Sequence, residues 1–193
     1  LPPAMTAAPP DLVPSPPSRA ALKALRLMLA WFGVAQVPQA RVVHGAEVPA
    51  PYHDLLVHHG HMTEVLERHH GAPVRVQPYQ IHQHGELYGR RLDLRAGADD
   101  RVIMTGLMII NLATVPAAAR TRIVAAREPL GRILIEHRVL RRVAPDAYLH
   151  FSAADPLAAR FGLRTPRDCW GRLATITCDG APAVDLLEVV RPE

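Results

Sequence analysis

Aromatic residues and cysteines are scarce in this sequence, and each shortage restricts the kind of protein that it can encode. Phe, Trp and Tyr make up 5% of its 193 residues, so we expect a core of aliphatic side chains. Its two cysteines, Cys169 and Cys178, lie an odd number of positions apart in one predicted strand and so point to opposite faces. We therefore expect no disulfide, and unpaired thiols favour a reducing compartment, the cytoplasm.

The sequence also lacks the features of membrane proteins and of nucleic-acid-binding proteins. No apolar run reaches the roughly 20 residues that cross a bilayer. Within 19–40 basic residues precede LMLAWFGVA, as in a signal peptide, but leucines at helical spacing favour an amphipathic helix. The net charge is +4, and the arginines are spread out, without a Lys/Arg block or zinc-finger spacing. We therefore expect neither a membrane span nor a nucleic-acid partner.

Proline is concentrated at the start of the sequence. Residues 1–17 contain seven prolines and almost no side chains that a core would bury, which predicts a mobile, polyproline-like leader. The rest of the chain, 18–193, has the length of one domain. Within it we expect a helix and a loop over 18–49, before the more strongly patterned part of the sequence begins.

From about residue 53 the spacing of apolar residues changes repeatedly between helix and strand periods. The spacing predicts helical stretches at 53–71 and 117–137, the second broken by Pro129. It predicts strands at 74–82, 86–95 and 102–112, a short strand near 138–143, and a closing pair around the turn CDGAPA. Long antiparallel strands interrupted by helices predict an α+β fold with a single main sheet.

Histidines form the densest cluster of chemically versatile residues. Five of the eleven fall within 58-HHGHMTEVLERHH-70. A zinc site needs three or four ligands at one point, but Gly60 interrupts the helix and the sequence has no HExxH pattern. His82 and His84 alternate in a strand, either as a metal pair or as side chains facing solvent. We expect the histidines to cap helices and to satisfy buried polar groups, with a metal site as the weaker alternative.

A different interpretation starts from the residues that follow His61. Five segments resemble, in order and spacing, those of the chorismate pyruvate-lyase family: LLVHHGHMTEVLERHHGAPVRV, LYGRRLDL, GLMIINLATVP, REPLGRIL and CWGRLATITCDGAPAVDLLEVVRP. The resemblance spans 50–192 and implies a chorismate lyase-like fold. It implies that chorismate is cleaved to 4-hydroxybenzoate and pyruvate without a metal or an organic cofactor, for ubiquinone or specialised aromatic metabolism.

The resemblance also implies a set of site residues. It aligns Arg90 with the arginine that binds a carboxylate of the ligand in the family. The guanidinium would make a bidentate contact with that carboxylate. It places Glu188 at the ligand, as the group that would give a proton to the departing enolpyruvyl group. Backbone N–H groups of Met62 and Leu130 would meet the other anionic end, and Gly131 would let the ligand approach closely.

Several of these assignments have an alternative in the residues themselves. By residue type alone, Met62 and Leu130 are typical of an ordinary core. Arg90 and Arg91 point to opposite faces of their strand, so one of them must face outwards. Asp185 lies three positions before Glu188 and competes with it for the inward position. Arg172 is either a second anion contact or a residue on the strand surface.

Two other functions remain open. Effector-binding domains of some GntR-type regulators share the implied fold, so the chain could be a non-catalytic sensor of aromatic acids. Such domains usually follow a DNA-binding helical domain, and we expect 1–50 to be too short and too rich in proline to form one. A related enzyme acting on another enolpyruvyl or aromatic acid is the other candidate. Glu128 is a reason to consider a different ligand, because it places a carboxylate where some members of the family have Thr.

Overall fold

The computed structural model describes residues 16–193, which form six α-helices and one sheet of seven strands. The strands are β1 (Ala40–Val43), β2 (Arg75–His84), β3 (Leu87–Ala96), β4 (Arg101–Asn111), β5 (Arg141–Phe151), β6 (Cys169–Cys178) and β7 (Ala181–Val190). The helices are α1 (Pro16–Trp31), α2 (Tyr52–Leu56), α3 (Met62–His70), α4 (Ala117–Ala125), α5 (Leu130–Glu136) and α6 (Pro156–Ala159).

All strand pairs in the sheet are antiparallel, in the order β1-β5-β6-β7-β4-β3-β2. Short turns connect the neighbours β2–β3, β3–β4 and β6–β7. The turn between β6 and β7 has positive φ at both Asp179 (49°) and Gly180 (84°), as a two-residue hairpin turn requires. The single antiparallel sheet with helical insertions that the sequence predicts is therefore confirmed.

Helices cover both faces of the sheet. One buried cluster joins α2, α3, α4 and α5 to one face, with Leu66 and Ile133 fully buried in it. A second cluster joins α1 and α6 to the other face, through Leu25, Leu29 and Leu157. Cys178 belongs to the first cluster and Cys169 to the second, and both thiols are free, as their odd spacing predicts.

Several boundaries differ from the sequence prediction. Helix α1 already includes Pro16, ahead of the predicted start at residue 18. The predicted leader 1–17 otherwise lies outside the described residues. The stretch 18–49 contains a strand, β1, whose four residues are too few for a visible period. No described helix is long and apolar enough to cross a membrane.

Two further elements differ in extent. The predicted helix over 53–71 is divided into α2 and α3, because the chain is irregular from Val57 to His61. Strand β5 runs to Phe151, well beyond the short strand predicted near 138–143. Pro145 does not end β5, since the register shifts between Pro145 and Ala147, and a bulge tolerates a residue without an N–H.

Candidate ligand-binding site

The register of the sheet brings three charged side chains to one face. Arg172, Glu188 and Gly106 lie directly opposite one another on β6, β7 and β4. In the adjacent row Arg90 on β3 lies opposite Met108 on β4. Directly opposed residues of antiparallel strands share a face, so all three charged side chains point to the layer of α3 and α5.

A cavity of about 70 Å³ separates this face from α3 and α5. All five predicted site residues line it: Met62, Arg90, Leu130, Gly131 and Glu188. Met62 is the first residue of α3 and Leu130 the first of α5, where backbone N–H groups have no acceptor within the helix. The rest of the lining is largely aliphatic. The fold thus brings together residues from four elements, and their roles remain predictions.

Arg90 is a buried cation with free donors. Its side chain is 1% exposed, and Nη2 donates to the carbonyl oxygen of Glu128 at 3.0 Å. Nε and Nη1 are buried and make no hydrogen bond of good geometry with the described residues, and the same holds for the hydroxyl of Tyr88. Burial lowers the pKa of Arg90, although that hydroxyl is near enough to raise it and offset part of the effect of burial. A guanidinium remains protonated at neutral pH in either case. The cavity wall therefore carries a guanidinium whose hydrogen-bond donors are only partly used by the protein.

The two competing residues point away from the cavity. Arg91 donates through Nη1 to Oε1 of Gln80 at 3.1 Å and lies over the ring of Tyr79. Asp185 is exposed, whereas Glu188 is only 8% exposed. Strand alternation explains both results, because each competitor lies an odd number of positions from the residue that faces the cavity.

Arg172 is the partner of Glu188. Its Nε donates to Oε2 of Glu188 at 2.6 Å, and both residues are buried. Its Nη1 donates to the carbonyl oxygens of Leu56 and His58, at 3.1 Å and 3.0 Å, and so ties the α2–α3 connection to the sheet. The sequence left open an anion contact or a surface position. The burial of Arg172 excludes the surface position, and a contact with a bound anion stays a prediction. The hairpin around Asp179 alone would place Arg172 opposite Leu187. The register shift between Ile176 and Thr177 moves its partner to Glu188, and a shift of this kind has no signal in the sequence.

His61 lines the cavity, whereas the sequence placed it only in the histidine cluster. It precedes α3, and its ring packs on Gly131, where an added Cβ would lie 2.9 Å from Nδ1 of His61. Nε of Arg141 donates to its Nε2, so the proton of the neutral imidazole sits on Nδ1. Burial, and then the charge of Arg141, lower the pKa of His61. A neutral imidazole therefore forms part of the cavity wall.

Several of the other histidines hydrogen-bond or pack with groups of the protein. Nε2 of His58 donates to the carbonyl oxygen of Leu55 at 2.8 Å, while its Nδ1 accepts from the N–H of Gly60 at 3.1 Å. His82 packs edge-on against Trp31, on the α1 side of the sheet. Across residues 16–193, no group of three His, Cys, Asp or Glu side chains is placed to hold a metal ion.

Glu128 directs its carboxylate away from the cavity. Its Oε1 accepts from Nε of Arg122 at 2.9 Å, and its Oε2 accepts from Nη2 of the same guanidinium. These hydrogen bonds lower the pKa of Glu128. Only its backbone carbonyl reaches Arg90. The carboxylate at this position therefore gives no reason to expect a different ligand.

Comparison with known proteins supports the fold. No family model matches the chain, and no curated protein matches its sequence. The solved structure of PhnF from Mycobacterium smegmatis is similar over 88% of this chain and 78% of PhnF, with a TM-score of 0.54 and 13% identity. YydK from Bacillus subtilis, a possible transcriptional regulator, has a TM-score of 0.44 and 6% identity over 61% of this chain. The chain spans 57% of the length of YydK. The chain thus has an α+β, chorismate lyase-like fold.

Proposed function

We propose that this chain binds a small ring carboxylate in the cavity, with the carboxylate on Arg90. The observation that carries the proposal is the pair of unpartnered nitrogens, Nε and Nη1, on a side chain that is 1% exposed. An unsatisfied buried donor costs roughly 1–3 kcal/mol, and more when it is charged. An anionic ligand would supply the missing acceptors, since carboxylate–guanidinium hydrogen bonds are among the strongest in proteins.

The opposite end of the cavity suits a hydroxyl group. The carboxylate of Glu188 is charge-compensated by Arg172, so this end offers a hydrogen-bond acceptor without a second free charge. Strands β3 and β7 are separated by β4, which places their backbones about 10 Å apart. Aliphatic side chains such as Leu92 and Met108 line the space between, where an apolar ring would pack. A hydroxylated ring carboxylate matches this arrangement.

Within this ligand class we propose chorismate as the substrate and its cleavage to 4-hydroxybenzoate and pyruvate as the reaction. The ring carbon–oxygen bond breaks, the neighbouring ring carbon loses its hydrogen as a proton, and the ring becomes aromatic. The methylene carbon of the departing enolpyruvate takes up a proton to give pyruvate. The reaction is balanced without an oxidant or a reductant.

For Glu188 we propose the role of acceptor for the ring hydroxyl. Arg172 already donates to this carboxylate, so donating a proton, the role that the sequence suggested, would first require this pair to break. Held by Glu188 at one end and Arg90 at the other, the ring would be fixed in a reactive orientation. Positioning of this kind, together with the exclusion of water, contributes a large share of catalysis in many enzymes.

Binding without turnover, as in an effector-sensing domain, is the second candidate. This candidate is favoured by the titratable side chains around the cavity, because each of them already has a partner within the protein. Glu188 is paired with Arg172, and His61 accepts a hydrogen bond from Arg141. Among the described residues that line the cavity, no acid or base is thus left without a partner to move a proton. Such a cavity could hold an aromatic acid and release it unchanged.

One experiment separates the two candidates. The purified protein is incubated with chorismate and EDTA, pyruvate and 4-hydroxybenzoate are quantified, and 4-hydroxybenzoate binding is measured by calorimetry. Formation of both products in the presence of the chelator supports the lyase. Binding of 4-hydroxybenzoate without turnover supports the sensor, and the absence of both overturns the proposal.

Variants test the residue roles. Arg90→Met should abolish binding, while the matched control Arg91→Met should preserve it, because Arg91 points to the other face. Glu188→Gln keeps the shape of the side chain but weakens its acceptor. Turnover by Glu188→Gln at the wild-type rate would show that the role proposed for Glu188 is wrong.

A further inference from the structure

A second, basic space adjoins the cavity. This outer depression has a volume of about 500 Å³ and is lined by His59, His61, Arg141, Arg142 and Val143. His61 and Val143 also line the inner cavity, so these two residues form the partition between the two spaces. The partition is closed by the contact between Nε of Arg141 and Nε2 of His61.

The inner cavity is too small to hold a ring ligand by itself. Its volume is about 70 Å³, whereas small-molecule sites usually measure about 300–1,000 Å³. A ring carboxylate that reaches Arg90 must therefore displace part of the wall. The side chain of His61 is the element that can move, because it is half-buried and lies next to the outer depression.

The distribution of charge limits the inner cavity to one anionic group. Arg172 is neutralised by Glu188, which leaves Arg90 as the uncompensated cation among the described residues of the lining. A second carboxylate placed there would lie near Glu188 without a cation of its own. Burial of an unpaired charge is strongly unfavourable, so a second anionic group would have to lie elsewhere.

The outer depression offers the missing positive charge. Arg141 uses Nε for His61 and Nη1 for the carbonyl oxygen of Val139, at 3.3 Å, and its Nη2 donates to no described residue. The side chain of Arg142 is exposed and makes no hydrogen bond or ion pair with the described part of the chain. No acidic residue lines the depression. Glu64, whose charge is felt at His61, lies outside it.

We propose that the ligand is a dianion bound across the partition, with one carboxylate on Arg90 and the other on Arg141. The inference rests on the proposed function and adds the place where the second carboxylate binds, which in chorismate belongs to the enolpyruvyl group. On binding, Arg141 exchanges its hydrogen bond to a neutral imidazole for contacts with a carboxylate. Charge-assisted hydrogen bonds are roughly twice as strong as neutral ones, so the exchange is favourable. The His61–Arg141 contact opens, and the two spaces join.

The test compares two stable probes that differ by a single carboxylate, 3-(carboxymethoxy)benzoate and 3-methoxybenzoate. Dissociation constants are measured by calorimetry for the wild type and for the variants Arg141→Gln, Arg141→Lys and Arg164→Gln. Arg164 is an exposed arginine that lines neither space, so its variant is a matched control for loss of one positive charge.

We expect the wild type to bind the dicarboxylate about tenfold more tightly, as one extra charge-assisted hydrogen bond would give. Arg141→Gln should remove this preference without weakening the binding of 3-methoxybenzoate, whereas Arg141→Lys and Arg164→Gln should keep it. Equal binding of both probes by the wild type overturns the inference, even if Arg141→Gln does not fold. So does an equal loss for both probes in Arg141→Gln, or a loss of preference in Arg164→Gln. In these cases ring carboxylate binding stands, whereas failure of the wild type to bind either probe overturns both proposals.

Discussion

Arg172 and Glu188 face each other on adjacent strands of the closing hairpin, and Nε of Arg172 donates to Oε2 of Glu188 at 2.6 Å. Their exposed fractions are 1% and 8%, so water cannot replace either partner. The same guanidinium also donates to the backbone of the α2–α3 connection. Arg172 thus connects the sheet side of the cavity, at Glu188, to the segment that leads into α3.

Removal of Arg172 should therefore destabilise the protein strongly. Arg172→Met leaves the carboxylate of Glu188 buried without a partner, and such a change typically costs about 3–5 kcal/mol. The double variant Arg172→Met/Glu188→Met should regain most of this loss, because two apolar side chains leave no charge uncompensated. Urea denaturation of wild type, single and double variants gives the three free energies of unfolding. A double variant that is less stable than Arg172→Met alone would contradict this account.

Replacement of Arg90 should have the opposite effect on stability. Arg90→Met removes a buried cation whose Nε and Nη1 have no partner among the described residues. The free energy of unfolding should stay equal or rise by roughly 1 kcal/mol, since an unsatisfied buried donor is lost. Affinity for 4-hydroxybenzoate should disappear at the same time. Urea denaturation and calorimetry on one preparation measure both, and a marked loss of stability would show that Arg90 has mainly a structural role.

Stability should decrease as the pH falls below 6.5, because of three half-buried histidines. Burial is the main cause that lowers the pKa of His58, His61 and His70 from the usual 6.5, helped by the charges of Arg172 and Arg141 at the first two. The unfolded chain therefore takes up protons at a higher pH than the folded protein. The full stabilisation is present above pH 6.5 and is lost as the pH falls towards the lowered values.

Free energies of unfolding measured between pH 7.5 and 5 test this expectation. In His61→Gln the decrease should be shallower, because one of the three proton-linked groups is gone. An unfolding free energy that stays constant over this range, or one that decreases equally in wild type and His61→Gln, would show that burial does not shift the pKa of His61 as described.

Two glycines of the cavity should respond differently to the same substitution. A Cβ at Gly131 would meet the ring of His61, a side chain that can turn aside, at 2.9 Å from its Nδ1. A Cβ at Gly106 would overlap the backbone carbonyl of Leu187, which is fixed in the sheet. Gly131→Ala should thus change the affinity for 4-hydroxybenzoate with little loss of stability, whereas Gly106→Ala should cost several kcal/mol. Thermal unfolding and calorimetry of both variants measure the contrast.

The sequence determined most of the secondary structure and the faces of individual strands. Alternation along β3 is enough to place Arg90 and Arg91 on opposite faces, because successive side chains of a strand point in opposite directions. The Asp179-Gly180 pair is enough to predict the last hairpin, since few residue pairs accept two positive φ angles. Both features depend on residues that are neighbours in the chain, which is why pattern and local chemistry suffice.

Tertiary structure alone decided which charges became partners and which remained free. Arg90 and Arg172 are both strand arginines. Arg172 pairs with Glu188 across a hairpin, whereas Arg90 finds no carboxylate among the described residues and donates to a carbonyl oxygen from the loop before α5. The contact between His61 and Arg141 joins residues eighty positions apart and creates the wall between the two spaces. Such contacts depend on strand order and on how the helices pack on the sheet. The spacing of residues along the chain cannot predict these contacts, because they join distant segments that meet only in the folded protein.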